Sequence, residues 1–93
     1  IVRHKLFDYT GVIFDIDPSF EGTDEWYDKV AETKPPRDKP WCHVLVSDDE
    51  KTTYVAEKNI EEVLNPKPIN HSMVQYIFEK FNGKDYQLKF KAN

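Results

Sequence analysis

The chain has 93 residues, 39% hydrophobic and 14% aromatic, with 13 basic against 17 acidic side chains and a formal net charge of −4. That length fits one domain with one core, burying roughly 60–65% of the surface the unfolded chain exposes and leaving little room for a deep pocket. The acidic balance argues against nonspecific nucleic-acid binding and against anionic membranes, and no run approaches the roughly 18 apolar residues that span a bilayer.

Val2–Leu6 reads as a short strand, with Val2, His4 and Leu6 alternating with Arg3 and Lys5. Asp8 and Gly11 mark a turn. Val12–Asp17 is a stronger strand: Val12, Phe14 and Ile16 are expected on one face, Asp15 and Asp17 on the other. Residues 18–40 break the β pattern. Thr23 or Asp24 can cap a short helix running to about Ala31, with Trp26, Tyr27, Val30 and Ala31 as its apolar stripe and Asp24 and Glu25 at its electropositive start. Lys34–Pro40, with three prolines, is a stiff exposed connector.

Trp41–Val46 is a second strong strand, Ser47–Lys51 a hairpin loop and Thr52–Ala56 the return strand. Glu57–Asn59 reads as one helical turn and Ile60–Val63 as a last strand. Residues 71–81 fit either a helix, through Met73, Val74, Ile77, Phe78 and Phe81, or a strand, through Val74, Tyr76 and Phe78. The tail from about residue 87 to 93 is expected to be mobile. The whole predicts an all-β (mainly β) single domain over 1–93: a small SH3-like five-stranded barrel with a short helical insertion at about 18–40 and a C-terminal extension.

The single cysteine, Cys42, cannot form an internal disulfide, and no signal-peptide pattern opens the chain, which fits a reducing, cytoplasmic setting. Cys42 and His43 are adjacent on a strand and point to opposite faces, so they do not make a nucleophile and base. The three histidines (His4, His43 and His71) have no metal-ligand spacing and no second cysteine to complete a zinc site. Gly11, Gly22 and Gly83 do not cluster into a phosphate loop. No catalytic residue, metal site or cofactor is expected, and the chain reads as non-enzymatic. Asp15 and Asp17 could share a proton or a metal, but solvated acids on an outer face are the simpler reading.

Two surfaces stand out for binding. Residues 15–28 carry six carboxylates and no Lys or Arg, and Phe20, Trp26 and Tyr27 sit among them. Phe20, Asp24, Glu25, Trp26 and Tyr27 are therefore candidates for protein binding, unless the rings fold down to cap the core. Arg3, His4 and Lys5 form one basic cluster, Lys34, Arg37 and Lys39 a second, and Lys80, Lys84, Lys89 and Lys91 a third. Arg3, His4, Lys5, Arg37 and Lys39 are candidates for phosphate contacts, with solubilising charge as the plainer reading.

Several strings are specific in order and spacing. They are Val2-Arg3-His4-Lys5-Leu6-Phe7, Gly11-Val12, Asp15-Ile16-Asp17-Pro18 and Thr23-Asp24-Glu25-Trp26-Tyr27. Lys39-Pro40-Trp41, His43-Val44-Leu45-Val46, Thr52-Thr53-Tyr54-Val55-Ala56-Glu57-Lys58-Asn59 and Ile69-Asn70-His71 follow. Over about residues 2–86 the chain resembles the heat shock protein HspQ family, also called the YccV-like or hemimethylated-DNA-binding domain. The resemblance implies a small cytoplasmic β-barrel that is induced by heat and forms homo-oligomers, trimers among them. It implies an adaptor or specificity enhancer that promotes degradation of DnaA and denatured proteins by the Lon-type AAA+ protease, or binding to hemimethylated DNA affecting replication initiation. Cys42 departs from the family pattern, where an aromatic is expected, and so does the lysine-rich tail.

Overall fold

The computed structural model describes residues 1–31 and 33–89. Five strands lie in one antiparallel sheet: β1 (Val2–His4), β2 (Thr10–Asp17), β3 (Trp41–Val46), β4 (Thr52–Ala56) and β5 (Ile60–Glu62). Their hydrogen-bonded order is β4-β3-β2-β1-β5. The all-β reading holds, and β3, the hairpin loop and β4 fall where the sequence puts them. Among the described residues the ladder is open between β4 and β5, which a 3-10 turn, Glu57–Asn59, joins.

β1 is shorter than its alternation suggested, because the chain turns at Lys5–Phe7. Asp8 takes the left-handed conformation (φ 54°), its N–H donates to the His4 carbonyl, and His4 N–H donates to the Tyr9 carbonyl. The hairpin loop uses Asp48 and Glu50 in the same conformation. Gly11 opposes Val46 where β2 crosses β3, and a Cβ there would lie 2.5 Å from both the Leu45 carbonyl oxygen and Val44 Cγ1. Only glycine lets the two backbones come so close.

β2 does not keep one alternation. Ile13 pairs with Val44 and Asp15 with His43, so two residues of β2 pass for one of β3 and Phe14 is the extra one, a β-bulge. The bulge reverses the side-chain parity downstream. Ile16, expected beside Val12 and Phe14, instead opposes Cys42 on the other face and is 56% exposed. Asp15 and Asp17 come round to the face of His43 and Trp41.

β3 is buried on both faces. Cys42 and Val44 pack with Val55, Val2, Tyr9, Ile13 and Ile60 on one side. Leu45 packs with Val12, Ile69 and Phe78 on the other. The second group is covered by the C-terminal extension. There the ambiguous segment 71–81 is both things in turn: a single helical turn, α2 (Val74–Ile77), then an extended Phe78 bridged antiparallel to Leu88. Gln87–Lys89, expected to belong to a mobile tail, are tied down: Glu79 N–H donates to the Gln87 carbonyl and Lys89 N–H to the Ile77 carbonyl. The rest of that expected tail, residues 90–93, lies outside the described residues. No helix among the described residues is long and apolar enough to cross a membrane.

Candidate functional site

The insertion begins where Pro18 ends β2. Thr23 caps helix α1 (Asp24–Val30), its hydroxyl accepting from Trp26 N–H at 3.1 Å, with Asp24 and Glu25 in the first turn. Capping fixes the helix start, and the start aims Trp26 and Tyr27 at the sheet. They meet Phe20 from the preceding loop and Trp41 and Tyr54 from β3 and β4. Ring centroids lie 4.9 Å apart for Phe20–Trp41, 5.2 Å for Trp41–Tyr54, 5.8 Å for Trp26–Tyr54 and 6.0 Å for Trp26–Trp41. These are tilted and edge-on aromatic contacts, with Ala31 and Ala56 filling the base. The stripe expected on α1 is kept except at Val30, which is 51% exposed.

Polar groups pin the cluster. Trp41 Nε1 donates to the Pro36 carbonyl at 3.1 Å and the Tyr27 hydroxyl to the Pro35 carbonyl at 2.7 Å, so the proline connector is clamped to the rings it follows. Arg37 lies 5.0 Å over the rings of both Phe20 and Tyr27 and donates to Asp24 Oδ1 at 2.7 Å. Lys34 Nζ donates to the carbonyls of Tyr27 and Asp28.

Beside the cluster, Asp17 Oδ2 accepts from the Tyr54 hydroxyl at 2.7 Å and contacts His43 Nε2 at 3.1 Å. The Tyr54 bond, with help from His43, holds the Asp17 carboxyl below its ordinary range. Burial first, and then that same bond, push the Tyr54 phenol up to about 12. Asp15, Asp17 and His43 each bring one donor atom within 4.8 Å of the others, so these are the residues that could hold a metal ion. Asp17 is already engaged by two partners there. Burial pushes the Cys42 thiol up, and it is a free cysteine.

The expected protein-binding residues are brought together, but as a docked assembly. Phe20, Trp26 and Tyr27 are half-buried against Trp41 and Tyr54, Asp24 is paired with Arg37, and Glu25 is exposed. The expected DNA-contact residues are not brought together as a cationic cluster. Arg3 is held by Asp8 at 2.6 Å and by Glu61 across the β1–β5 pair. His4 is 5% exposed, and its Nδ1 accepts the N–H groups of Leu6 and Phe7, both at 3.1 Å. Lys5 and Lys39 are exposed, while Arg37 is engaged as described. In the third basic cluster Lys89 reaches the Gln75 carbonyl, and Lys91 lies outside the described residues.

Sequence reasoning missed Tyr54, Trp41 and His43 as members of the site. The hairpin register was the available signal, since a turn at Ser47–Lys51 places Tyr54 opposite His43. It also missed Glu50, which accepts the N–H and hydroxyl of Ser72 and so ties the hairpin loop to the C-terminal extension.

A family model described as hemimethylated DNA-binding protein YccV like matches residues 1–85. No solved structure matches the chain.

Proposed function

The chain belongs to the YccV-like family of hemimethylated-DNA-binding proteins, and from that premise we propose that it is a non-enzymatic recognition module of the cytoplasm, an adaptor that presents denatured or regulatory proteins to a Lon-type AAA+ protease. The observation that carries the choice of protein over nucleic acid is the state of the arginines. The chain has two, and both are neutralised by carboxylates: Arg3 by Asp8 and Glu61, Arg37 by Asp24. A phosphate would have to displace these partners on a chain of net charge −4. Apolar and aromatic side chains supply the alternative: Leu6 and Phe7 are 55% and 57% exposed and line the same groove as Trp26, Trp41 and Tyr54. Assembly into a homo-oligomer, a trimer by expectation, would multiply a weak surface.

The test is the degradation rate of a Lon-type substrate by purified protease, with and without this protein, at fixed ATP and physiological salt. A higher rate or a lower apparent KM supports the adaptor. An unchanged rate, with the protein itself not consumed, removes it.

Hemimethylated DNA is the second reading, and the family's description favours it. One methyl group contributes only about 1 kcal/mol when buried, so most of the affinity must come from phosphates, with exposed Lys5 and Lys39 the available contacts. Titration with hemimethylated, unmethylated and fully methylated duplexes across a salt series decides it. Steep salt dependence with a preference for the hemimethylated duplex supports this reading, and no binding sinks it.

A further inference from the structure

β4 stands at one end of the sheet, paired with β3 on one side only. In an antiparallel ladder alternate residues turn their N–H and C=O toward the partner strand. Val46 N–H donates to the Lys51 carbonyl, and Glu57 N–H to the Pro40 carbonyl, both at 3.0 Å. Those two bonds fix the phase: Thr53 and Val55 face β3, while Thr52, Tyr54 and Ala56 turn their backbone outward. Among the described residues no hydrogen bond outside the β3–β4 ladder reaches the backbone of Thr52 or Tyr54, whereas Ala56 is 4% exposed and caps the 3-10 turn Glu57–Asn59.

Sheet edges are usually blunted by charge, proline or a bulge. β4 reads Thr-Thr-Tyr-Val-Ala, with no charge and no proline, and its register with β3 is unbroken. It is also recessed. All 5 of its residues line one groove of about 660 Å³. Neighbouring residues of a strand point to opposite faces, so a single depression can border all of them only at the edge itself. One wall is Leu6 and Phe7 of the β1–β2 turn, and the other is Trp26 and Val30 of α1. Three of these four are more than half exposed: Leu6 55%, Phe7 57% and Val30 51%.

We propose that this groove takes an extended segment of an unfolded client protein, which pairs through its backbone with Thr52 and Tyr54 as an added strand. The row of outward N–H and C=O groups specifies an extended backbone. The two walls accept apolar side chains alternately to either side, and the groove rejects helical or folded segments, whose backbone groups are already paired. This rests on the adaptor reading only for the source of the segment, a client protein.

The probe is a synthetic ten-residue peptide of Val, Thr and Lys, compared with two versions N-methylated at alternate residues of either parity. One parity is expected to weaken binding at least about tenfold, since it removes the donors and about one to two net hydrogen bonds, and the other to leave it unchanged. Thr52→Pro should weaken the parent peptide similarly while leaving the thermal transition in place, because the N–H it removes faces outward. The amides of Thr52 and Tyr54 should gain hydrogen-exchange protection when peptide is added. If the peptide binds equally well in all three forms, edge pairing is overturned and the adaptor reading is untouched. Stimulated Lon degradation without peptide binding has the same meaning. Concentration-dependent protection of those amides in the free protein, with dimers in sedimentation, overturns the proposal in favour of a second copy. Neither peptide binding nor stimulated degradation removes both ideas together.

Discussion

Gly11→Ala tests the packing on which the sheet depends. A Cβ at residue 11 lies 2.5 Å from the Leu45 carbonyl oxygen and from Val44 Cγ1. The carbonyl belongs to β3, which is paired on both sides and cannot move alone, and Val44 is fully buried. Relief therefore requires β2 and β3 to separate locally. Overpacking of this kind costs about 1–3 kcal/mol, while Ala regains roughly 0.4–1 kcal/mol by stiffening the unfolded chain, so the net is a loss of about 1–2 kcal/mol. For a domain of this size each kcal/mol lowers Tm by roughly 4–8 °C, giving a fall of about 5–15 °C. Thermal unfolding followed by far-UV circular dichroism reads this directly. Gly83→Ala is the control: its Cβ meets nothing within 4 Å, and only its φ of +95° opposes the substitution. A Gly11→Ala variant as stable as the parent would refute the close approach of β2 to β3.

Replacing Trp26 and Tyr27 together by Ala should weaken client binding by about tenfold or more, measured by fluorescence anisotropy, while the sheet stays folded. Unchanged affinity in a folded variant would show that the aromatic surface is not used. Between pH 10 and about pH 12 the unfolded chain ionises Tyr54 and the folded one does not, so stability falls as pH rises through that window. Tyr54→Phe should flatten this fall in urea titrations, and an unaltered slope would deny that burial and the Asp17 bond hold the phenol protonated in the folded chain. Burial holds the His4 imidazole below its usual 6.5, so stability is present above that pH and is lost as pH falls below it, when the unfolded chain takes up a proton first. His4→Gln should reduce that acid loss. Cys42 should resist thiol reagents in the folded protein and react on adding urea, and fast native labelling would contradict its burial.

Much of the sheet was legible because its signals are local. Trp41–Val46 and Thr52–Ala56 are β-branched and aromatic runs separated by a polar loop, and Thr23 announces a helix start by its side chain alone. The bulge at Phe14 was not legible: Val12, Phe14 and Ile16 alternate without a flaw, and only pairing with β3 reveals that one residue is extra. Arg3 and Lys5 looked like a shared basic face for the same reason. The partner that neutralises Arg3, Glu61, is 58 residues away in the chain and reaches it only through the β1–β5 pair. Segment 71–81 mixed two periodicities because it contains both a helical turn and a bridge. The aromatic cluster was half legible. Phe20, Trp26 and Tyr27 are neighbours in sequence, whereas Trp41 and Tyr54 join them only through the register of the hairpin.

The place of β1 in the sheet sets an order for folding. β2, β3 and β4 are joined by contacts that the chain can make early, but β1 lies between β2 and β5, and Val2 pairs with Glu62. The first of these five strands to be synthesised therefore waits for the last of them before its second row of hydrogen bonds can close. Closing so long a loop is slow, placing this small domain among the millisecond-to-second folders. Until β5 arrives, Val2 and Ile13 remain without the Ile60 side of their core, and a nascent chain stopped short of β5 presents β1 as an edge in its place.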